Sequence, residues 1–363
     1  MIERSLVVKD ERWYCAFPDV ALAPSGQLVC VYNQCTHHHN RAVTQIVQVV
    51  STDRGRTWSA PTPLSEAIDN DPDGWHWNCP RISTLSDGRL ACVCDKVQGK
   101  GGDAREGGQM TNWLWLSGDE GASWSEPTKL PMFGIVPDRL IELRHGPMAG
   151  RWVVTAHSRF ADEPGRRSAQ RVWWSDDQGK TWSGHSLAGS FEHLWVCEAS
   201  IFELPDGTLV CVMRENSGTG HDGVKTLSTD GGETWSEPVN FPIPGCHRPV
   251  GGVLNNGFVL ITHRIRHGGK GWNWMAQNFC ASLTDVESCM AKTRKEAHAR
   301  ILPLDYDRAR QADTGYSGWV QYDDGEIVVV NYIVDDHRPL AQVRCYRLTV
   351  DDFVLDFDQE MNR

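Results

Sequence analysis

The sequence predicts an all-β protein, a six-bladed β-propeller of four-stranded antiparallel blades, and two repeated patterns carry that prediction. The first pattern, S-x-D-x-G-x-[TS]-W, occurs four times, at 51–58, 117–124, 175–182 and 228–235. In the second, a short apolar strand follows a turn glycine, and this occurs six times, at Gly26, Gly88, Gly150, Gly207, Gly257 and Gly325. Successive copies lie 50 to 68 residues apart, which is about the length of one propeller blade.

The eight-residue segment has the composition of a hairpin turn. Its Asp side chain can bond backbone groups two residues on, and its Gly supplies a backbone angle that other residues resist. Its Trp is a large apolar group that can pack between neighbouring units. Apolar runs precede the first three copies and are typical of strands that run into the turn. The segment is therefore predicted to serve folding rather than catalysis.

Each unit reads as strand, turn, strand, strand, turn and strand, and six such units give six blades. The last two units carry only eroded copies of the eight-residue segment, at 282–285 and 348–352. We expect the N-terminal segment 5–8 to pair into the last blade and close the ring, because closure removes exposed sheet edges. The prediction is one domain over residues 1–363, since a domain boundary would cut a ring that needs all its units.

Composition excludes several classes of partner. The net charge of −11 and the absence of a basic block argue against nucleic acid. The sequence has no run of eighteen apolar residues, so no membrane span is predicted. The first ten residues lack the apolar core of a secretory signal. The twelve scattered cysteines favour buried free thiols in a reducing cytoplasm. They lack the paired spacing of a zinc site, so no metal or cofactor is predicted, and the oligomeric state stays open.

Polar residues recur at fixed distances from the turn glycines. Because the first strand of each propeller blade lines the central channel, these positions are expected to be inside the ring. Nine residues before the glycine the sequence has Phe17, Cys79, Glu198, Arg248 and Tyr316. Seven residues after it the sequence has Asn33, Asp95, His157, Arg214, Arg264 and Tyr332. Buried charge is costly unless it is paired or functional, so the pattern predicts a charged pocket in the channel.

The repeated segments resemble the Asp-boxes of the sialidase (neuraminidase) superfamily, and the resemblance extends over nearly the whole chain. Members of that superfamily are six-bladed β-propellers, so the resemblance implies the same fold and a carbohydrate substrate. Asp-boxes also occur in lyases, in other glycosidases and in binding proteins. The resemblance therefore indicates the fold more specifically than it indicates the reaction.

Part of the sialidase site is matched residue by residue. Glu198 and Arg214, sixteen positions apart, resemble the Glu and Arg that sialidases carry on one blade, and Tyr316 resembles their nucleophile. The resemblance implies that Glu198 takes the phenol proton, which a Tyr nucleophile needs because a neutral phenol is a poor nucleophile. Arg214 and Arg264 would then hold a substrate carboxylate, a task that suits the guanidinium fork.

The other part of the sialidase site has different residues in this sequence. The stretch Cys15-Ala-Phe-Pro-Asp19 lacks the first arginine of the family, and Arg81 in blade two could replace it only from another direction. The loop that should carry the acid/base Asp contains three histidines instead, 37–39. By location, the candidate proton donors are therefore His37, His38, His39 and Asp19, of which His38 and Asp19 are assigned, since histidine can act as general acid near neutral pH. Further binding residues predicted at the channel are Arg248 and His247.

Three functions remain open on these residues. The first is a sialidase-like hydrolase that releases a terminal, acidic sugar, and it is favoured by Glu198, Arg214 and Tyr316. The second is a lyase that acts on uronate polysaccharides with His and Tyr as base and acid. The third is a sugar-binding propeller without catalysis, which the missing first arginine favours.

Overall fold

The six predicted blades are present in the structure of the protein, a computed structural model that describes residues 2–99, 109–158, 167–217, 221–266, 277–335 and 340–353. The described strands form six antiparallel sheets, four with four strands and two with five. The predicted fold class is thereby confirmed. The added fifth strands are short segments at the edges of blades one and two.

Blades one to three occupy the first half of the chain. Blade one contains β2 (Tyr14–Leu22), β3 (Leu28–His37), β4 (Asn40–Ser51), β5 (Thr62–Pro63) and β6 (Ile68–Asp69). Blade two contains β7 (Trp75–Trp77), β8 (Arg81–Thr84), β9 (Leu90–Gln98), β10 (Met110–Ser117) and β11 (Thr128–Leu130). Blade three contains β12 (Ile141–Glu142), β13 (Trp152–Ser158), β14 (Ala169–Ser175) and β15 (Ser186–Gly189).

Blades four to six complete the ring. Blade four contains β16 (Val196–Glu203), β17 (Leu209–Glu215), β18 (Asp222–Ser228) and β19 (Val239–Pro244). Blade five contains β20 (Cys246–Val253), β21 (Phe258–Arg266), β22 (Gln277–Asp285) and β23 (Arg300–Tyr306), with the short helix α1 (Val286–Met290) between its last two strands. Blade six contains β24 (Thr314–Gln321), β25 (Ile327–Ile333), β26 (Gln342–Leu348) and, from the N-terminus, β1 (Glu3–Val8).

The N-terminal strand closes the last blade as expected. Strand β1 runs antiparallel to β26, with Ser5 opposite Cys345. The outer edge of blade six is therefore covered by a strand from the other end of the chain, which removes an open edge. No described helix is both long enough and apolar enough to cross a membrane.

The Asp-box turns hold themselves together by side-chain hydrogen bonds. In the third box, Ser175 Oγ accepts from the Gly179 amide at 2.8 Å. The Asp177 carboxylate accepts from the Thr181 amide at 2.8 Å and from the Thr181 hydroxyl at 2.7 Å. The other three boxes repeat these contacts, so each box is a turn held by its own Ser and Asp side chains.

Each box tryptophan packs at the boundary between its own blade and the preceding one. Trp124 of blade two contacts a cluster formed by buried residues of blades one and two, and its indole N–H donates to Gln48 Oε1 of blade one at 2.9 Å. Trp58, Trp182 and Trp235 take the equivalent places at the other boundaries. The prediction that these rings pack between blades is confirmed, and the hydrophobic core consists of such inter-blade layers.

We expect Asp177→Ala to lower the free energy of unfolding, because the Thr181 amide and hydroxyl lose a charged acceptor. Urea denaturation of the two proteins would measure the difference. Asp323→Ala, which removes an exposed carboxylate from the β24–β25 turn, is the matched control. Equal losses for the two variants would contradict a folding role for the box.

Candidate active site

Four of the first strands carry a bulge at the same position. The residue there adopts a left-handed backbone angle: φ is +56° at Phe17, +47° at Glu198, +50° at Arg248 and +64° at Tyr316. The pairing register of each strand shifts at that residue. Left-handed angles are uncommon for residues with a Cβ, and each costs on the order of 1–3 kcal/mol. A bulge re-aims its side chain, and the side chains of Phe17, Glu198 and Arg248 meet around Tyr316.

The centre of the site is a hydrogen-bonded Tyr–Glu–Arg chain. The Tyr316 hydroxyl donates to Glu198 Oε1 at 2.8 Å. A single nitrogen of Arg214 donates to both oxygens of Glu198 at 2.8 Å, and Asn216 Oδ1 accepts from the other terminal nitrogen of Arg214 at 2.5 Å. Tyr316 is 7% exposed and Glu198 2%, so these contacts lie in a low-dielectric environment that strengthens them.

Two further guanidinium groups flank the tyrosine ring. The Arg248 guanidinium carbon lies 5.4 Å from the Tyr316 ring centroid and that of Arg264 lies 5.5 Å from it. Arg264 donates to the Thr314 carbonyl at 2.8 Å, and Arg248 donates to the Ala199 carbonyl at 3.0 Å. The backbone thus fixes both groups beside the ring. The structure brings together five of the predicted site residues here: Glu198, Arg214, Arg248, Arg264 and Tyr316.

Charge keeps the central tyrosine protonated and the glutamate ionised. Burial raises the pKa of Tyr316 well above its ordinary value, and the negative charge of Glu198 raises it further. Burial alone would also raise the pKa of Glu198, but the guanidinium groups of Arg214 and Arg264 hold it well below its usual range. At neutral pH the site therefore contains a neutral phenol that donates to a carboxylate.

Blade five supplies a wall of positive potential. His247 is fully buried, and burial together with the charges of Arg214 and Arg264 holds its pKa well below the usual histidine value. Burial and the same two arginines lower the pKa of Arg266 to about 9. His247 is therefore neutral and adds no charge. The positive potential of this wall comes from its arginines, which favour a negatively charged ligand.

A second polar cluster surrounds Asp313, which directly precedes β24. Its carboxylate accepts from the Tyr332 hydroxyl at 2.7 Å, from the Tyr14 hydroxyl at 2.5 Å and from Nδ1 of His38. Arg264 lies 3.7 Å from it. Burial would raise the pKa of Asp313, but His38 and Arg264 hold it well below its ordinary value. An ionised carboxylate thus fixes the orientation of the His38 ring.

His38 lies one aromatic ring away from Tyr316. Its ring contacts Phe17 edge-on at 5.1 Å between centroids, and Phe17 contacts Tyr316 at 4.9 Å. His38 also stacks on His39 at 4.7 Å. Within the described ranges, no group of three or more His, Cys, Asp or Glu side chains is arranged to hold a metal ion.

Asp19 and Arg81 lie elsewhere than the sequence-based assignment requires. Asp19 comes two residues after Phe17, and Arg81 comes two residues after Cys79. Arg81 Nε lies 3.2 Å from Asp19 Oδ2. Asp19 also accepts from Arg139 and from the Ile82 amide, and these arginines outweigh burial and lower its pKa. A fully buried, doubly paired carboxylate is a poor proton donor. We therefore assign Asp19 and Arg81 a structural role that joins blades one, two, three and six.

Sequence reasoning missed Asp313, Tyr14 and Arg41. Asp313 lies in the connection before β24, outside the fixed offsets from a turn glycine that singled out the other residues. Arg41 occupies blade one, where the family's first arginine is absent: its guanidinium carbon lies 4.7 Å from the Phe17 ring centroid. The only sequence signal for Arg41 was its position just after the three histidines.

Comparison with known proteins agrees with this architecture. A family model described as a BNR repeat-like domain matches residues 77–264. The chain belongs to the BNR repeat-like family. Its distant homologues include the "Anhydrosialidase" of Macrobdella decora, 34% identical over 149 residues, which cover 37% of this chain and 18% of that protein. The "Sialidase" of Micromonospora viridifaciens is 27% identical over 243 residues, which cover 62% of this chain and 36% of the relative. The matches thus span well under half the length of these two relatives.

Solved structures share the fold. A protein of unknown function from Dyadobacter fermentans superimposes with a TM-score of 0.76 at 23% identity, over 96% of this chain and 98% of that one. The intramolecular trans-sialidase of Ruminococcus gnavus, solved with oseltamivir carboxylate, gives a TM-score of 0.69 at 16% identity, over 94% and 96% of the two chains. At these identities the likeness establishes the sialidase-like six-bladed propeller and leaves the reaction to be argued from the site.

We expect Asp313→Asn to lower the free energy of unfolding by roughly 2–4 kcal/mol at pH 7, because three donors lose a charged acceptor. The folded-state pKa of Asp313 lies below the ordinary Asp value of 3.8, so its stabilisation is present above that pH and is lost as the pH falls below it. The difference between wild type and variant should therefore shrink between pH 4 and pH 2. Denaturant unfolding at several pH values would measure this.

Asp324→Asn is the matched control, since Asp324 is exposed and pairs only at the surface with Arg54. A variant at Asp313 as stable as this control would contradict the role assigned to the cluster.

Proposed function

We propose that the protein is a sialidase-like glycoside hydrolase that releases a terminal acidic sugar from a glycan or glycoside. The observation that carries the proposal is the 2.8 Å hydrogen bond from the Tyr316 hydroxyl to Glu198, itself held by Arg214. A nucleophile needs an adjacent base when its own pKa is high, and this pair supplies one. The homology to sialidases supports the same assignment.

In the proposed reaction Tyr316 Oη attacks the anomeric carbon while the bond to the leaving-group oxygen breaks. The phenol proton passes to Glu198, and the leaving oxygen takes a proton from His38. A water molecule that loses a proton to His38 then attacks the anomeric carbon, and the bond to Tyr316 Oη breaks. The departing Tyr316 oxygen takes its proton back from Glu198, so that all three residues return to their starting state. Such a two-step route through a tyrosine is the known exception to the two-carboxylate scheme.

The arginines give a physical reason to expect an acidic substrate. Glu198 in the free site is a weak base because Arg214 and Arg264 lower its pKa. A substrate carboxylate bound to Arg264, Arg248 or Arg214 would offset part of that positive charge and raise the basicity of Glu198. An acidic sugar would thus bind well and also activate the base, whereas a neutral sugar would do neither.

A uronate lyase is the second candidate, favoured by the cluster of His38, Tyr14 and Tyr332 around Asp313. In that reaction a base removes the proton beside a uronate carboxylate, and the glycosidic bond on the adjacent carbon breaks to leave a carbon–carbon double bond. The arginines would stabilise the charge that develops on the carboxylate. The unsaturated product absorbs ultraviolet light, whereas a hydrolysis product does not.

We also propose that the protein is one domain that functions in a reducing compartment. All twelve cysteines are buried and none is in a disulfide, and buried thiols outside disulfides are typical of proteins that meet no oxidising environment. Fractionation of the native host with thiol labelling of the intact protein would test this placement.

The decisive assay offers the purified protein a sialoside, a set of aryl glycosides and a uronate polysaccharide, with release of sugar and ultraviolet absorbance as separate readouts. We expect Tyr316→Phe to abolish hydrolysis while binding stays largely intact, because the hydroxyl acts in the transition state. Tyr306→Phe, at an exposed residue, is the matched control. Full activity of Tyr316→Phe would contradict the hydrolase. An increase in ultraviolet absorbance when the wild-type protein acts on the uronate polysaccharide would favour the lyase.

We expect Glu198→Gln to lower kcat by about 10²–10⁴-fold, in line with loss of a general base. Arg214→Ala should raise KM for acidic sugars more than for neutral ones, since it removes a charge that attracts the carboxylate. Steady-state kinetics on an acidic and a neutral aryl glycoside would separate the two effects. Equal changes in KM for both substrates would contradict the acidic preference.

A further inference from the structure

A cavity of about 630 Å³ lies between blades five and six, away from the central channel. Strand β24, which carries Tyr316, packs against the first strands of blades one and five around the channel. Strand β1 is at the opposite edge of blade six, and the cavity opens beside it. The side chains that matter here are those of Arg4, Leu6, Lys9, Tyr306, Arg308 and Arg344. The cavity is therefore separate from the candidate active site.

The closure of the ring builds this cavity, because its walls come from distant parts of the chain. Leu6 of β1 lies opposite Arg344 of β26, and the pairing register shifts between Leu6 and Val8. The Arg4 guanidinium donates to the Leu304 carbonyl of β23 at 2.9 Å, which ties the N-terminal strand to blade five. A ligand in the cavity would thus contact the N-terminal strand and both of the blades that it joins.

Two buried carboxylates hold the guanidinium groups in place. Asp305 accepts from Arg344 at 2.9 Å and from Arg4 at 3.3 Å. Asp335 accepts from Arg308 Nε at 2.9 Å and from Arg344 at 2.7 Å. The carboxylate side chains are 5% and 1% exposed, whereas those of Arg4 and Arg308 are 49% and 65% exposed. An entering ligand therefore meets oriented guanidinium groups rather than carboxylates.

The cavity is positively charged although the net charge of the protein is −11. Its described lining has two carboxylates against four basic side chains, those of Arg4, Lys9, Arg308 and Arg344. Burial would raise the pKa of Asp335, but Arg308 and Arg344 lower it to about 2, so the count includes this carboxylate as charged. The excess of two positive charges matches a phosphate monoester, which carries about −1.5 to −2 at pH 7, more closely than it matches a single carboxylate.

Two apolar side chains line the cavity beside these charges. Among the large apolar side chains of the described residues, Tyr306 and Leu6 are the most exposed, at 52% and 51%. Exposed apolar groups that gather at a cavity mark interaction sites, whereas single ones need no explanation. A tyrosine ring offers a flat apolar face, and the cavity volume lies within the range of about 300–1,000 Å³ that small-molecule sites occupy. The wall therefore suits a ligand with a ring.

We propose that this cavity binds a small organic phosphate, a phosphate monoester carried on a ring. Arg4, Lys9 and Arg308 hold the phosphate through charge-assisted hydrogen bonds, and the ring packs against Tyr306. Sugar phosphates and nucleoside monophosphates share this chemistry. Binding here does not depend on hydrolysis at Tyr316. Because the ligand bridges the N-terminal strand and blade five, its binding stabilises the closed ring.

The first test compares ligands by calorimetry on the whole protein, with glucose 6-phosphate, AMP, glucose, adenosine and inorganic phosphate. At least one of the two esters should bind tenfold or more tightly than both its uncharged counterpart and inorganic phosphate, because only the ester uses the cations and the ring wall together. The ester that binds more tightly identifies the ring as a sugar or a base. Failure of both esters to bind, or binding no tighter than that of inorganic phosphate, would overturn the proposal.

Variants assign that binding to this cavity. Lys9→Ala and Arg308→Ala should each weaken ester binding roughly tenfold, and Arg308→Ala leaves Asp335 paired with Arg344. Tyr306→Ala should weaken binding of the ester but not of inorganic phosphate, whereas Tyr306→Phe keeps the ring and should bind the ester as the wild type does.

Two controls and a matched acid complete the comparison. Lys129→Ala, which removes an exposed cation from β11, and Arg214→Ala at the channel should bind the ester as the wild type does. Equal losses in Lys9→Ala and Lys129→Ala, or a loss in Arg214→Ala alone, would overturn the assignment to this cavity. Glucuronate bound as tightly as glucose 6-phosphate, with the same loss in Lys9→Ala, would overturn the preference for phosphate.

The second test measures ring closure by amide hydrogen exchange. A saturating concentration of the tighter ester should slow exchange in β1 several-fold or more, since the N-terminal strand opens less often when the ligand bridges it to blade five. Lys9→Ala at the same ligand concentration should show less slowing. Unchanged exchange in β1, or slowing confined to β24 at the channel, would overturn the bridging role.

Discussion

The left-handed bulge on the first strands is the constraint on which the site depends. A regular strand alternates its side chains between two faces, so it cannot present a residue along the channel without a local change of direction. Glu198, Arg248 and Tyr316 each take a positive φ at the bulge, and the three side chains converge although they come from three blades. The strain is stored where it orients chemistry, as at many functional sites.

The bulges are held in place by polar residues of the neighbouring second strands. His157 of blade three accepts from the Glu198 amide at 3.3 Å, and Arg264 of blade five donates to the Thr314 carbonyl of blade six at 2.8 Å. In the same way Asn33 of blade one donates to the Trp77 carbonyl of blade two at 2.9 Å. Hydrogen bonds between blades thus satisfy the backbone groups that the bulges free from the ladder. The inter-blade hydrophobic layers need this polar ring to align the blades at the channel.

The repeats made the blades predictable because turn chemistry is local. A Gly at a fixed position and a Ser/Asp/Trp box give the same hairpin wherever they occur, so six copies predict six blades and fixed offsets predict Glu198, Arg214 and Tyr316. Pairing between distant residues is different. Asp313 contacts Tyr14 across 299 positions of sequence, and Asp19 is neutralised by Arg81 and Arg139. Nothing in a single sequence states which buried charge meets which, so Asp19 looked like a free acid.

The site and its support therefore differ in electrostatics. Around Asp19 the arginines and carboxylates are matched by their neighbours, and the network acts as a fixed link between blades. Around Tyr316 positive charge is in excess. Arg214, Arg248, Arg264 and Arg266 face the carboxylates of Glu198 and Asp313, while Asp138, which lies 3.9 Å from Arg248, is shared with Arg81. Buried positive charge without a full set of partners is costly, and an anionic ligand supplies what is missing. The same excess that costs stability in the free protein thus provides affinity for an acidic group, and its removal on binding strengthens Glu198 as a base. Recognition and activation would then share one physical cause.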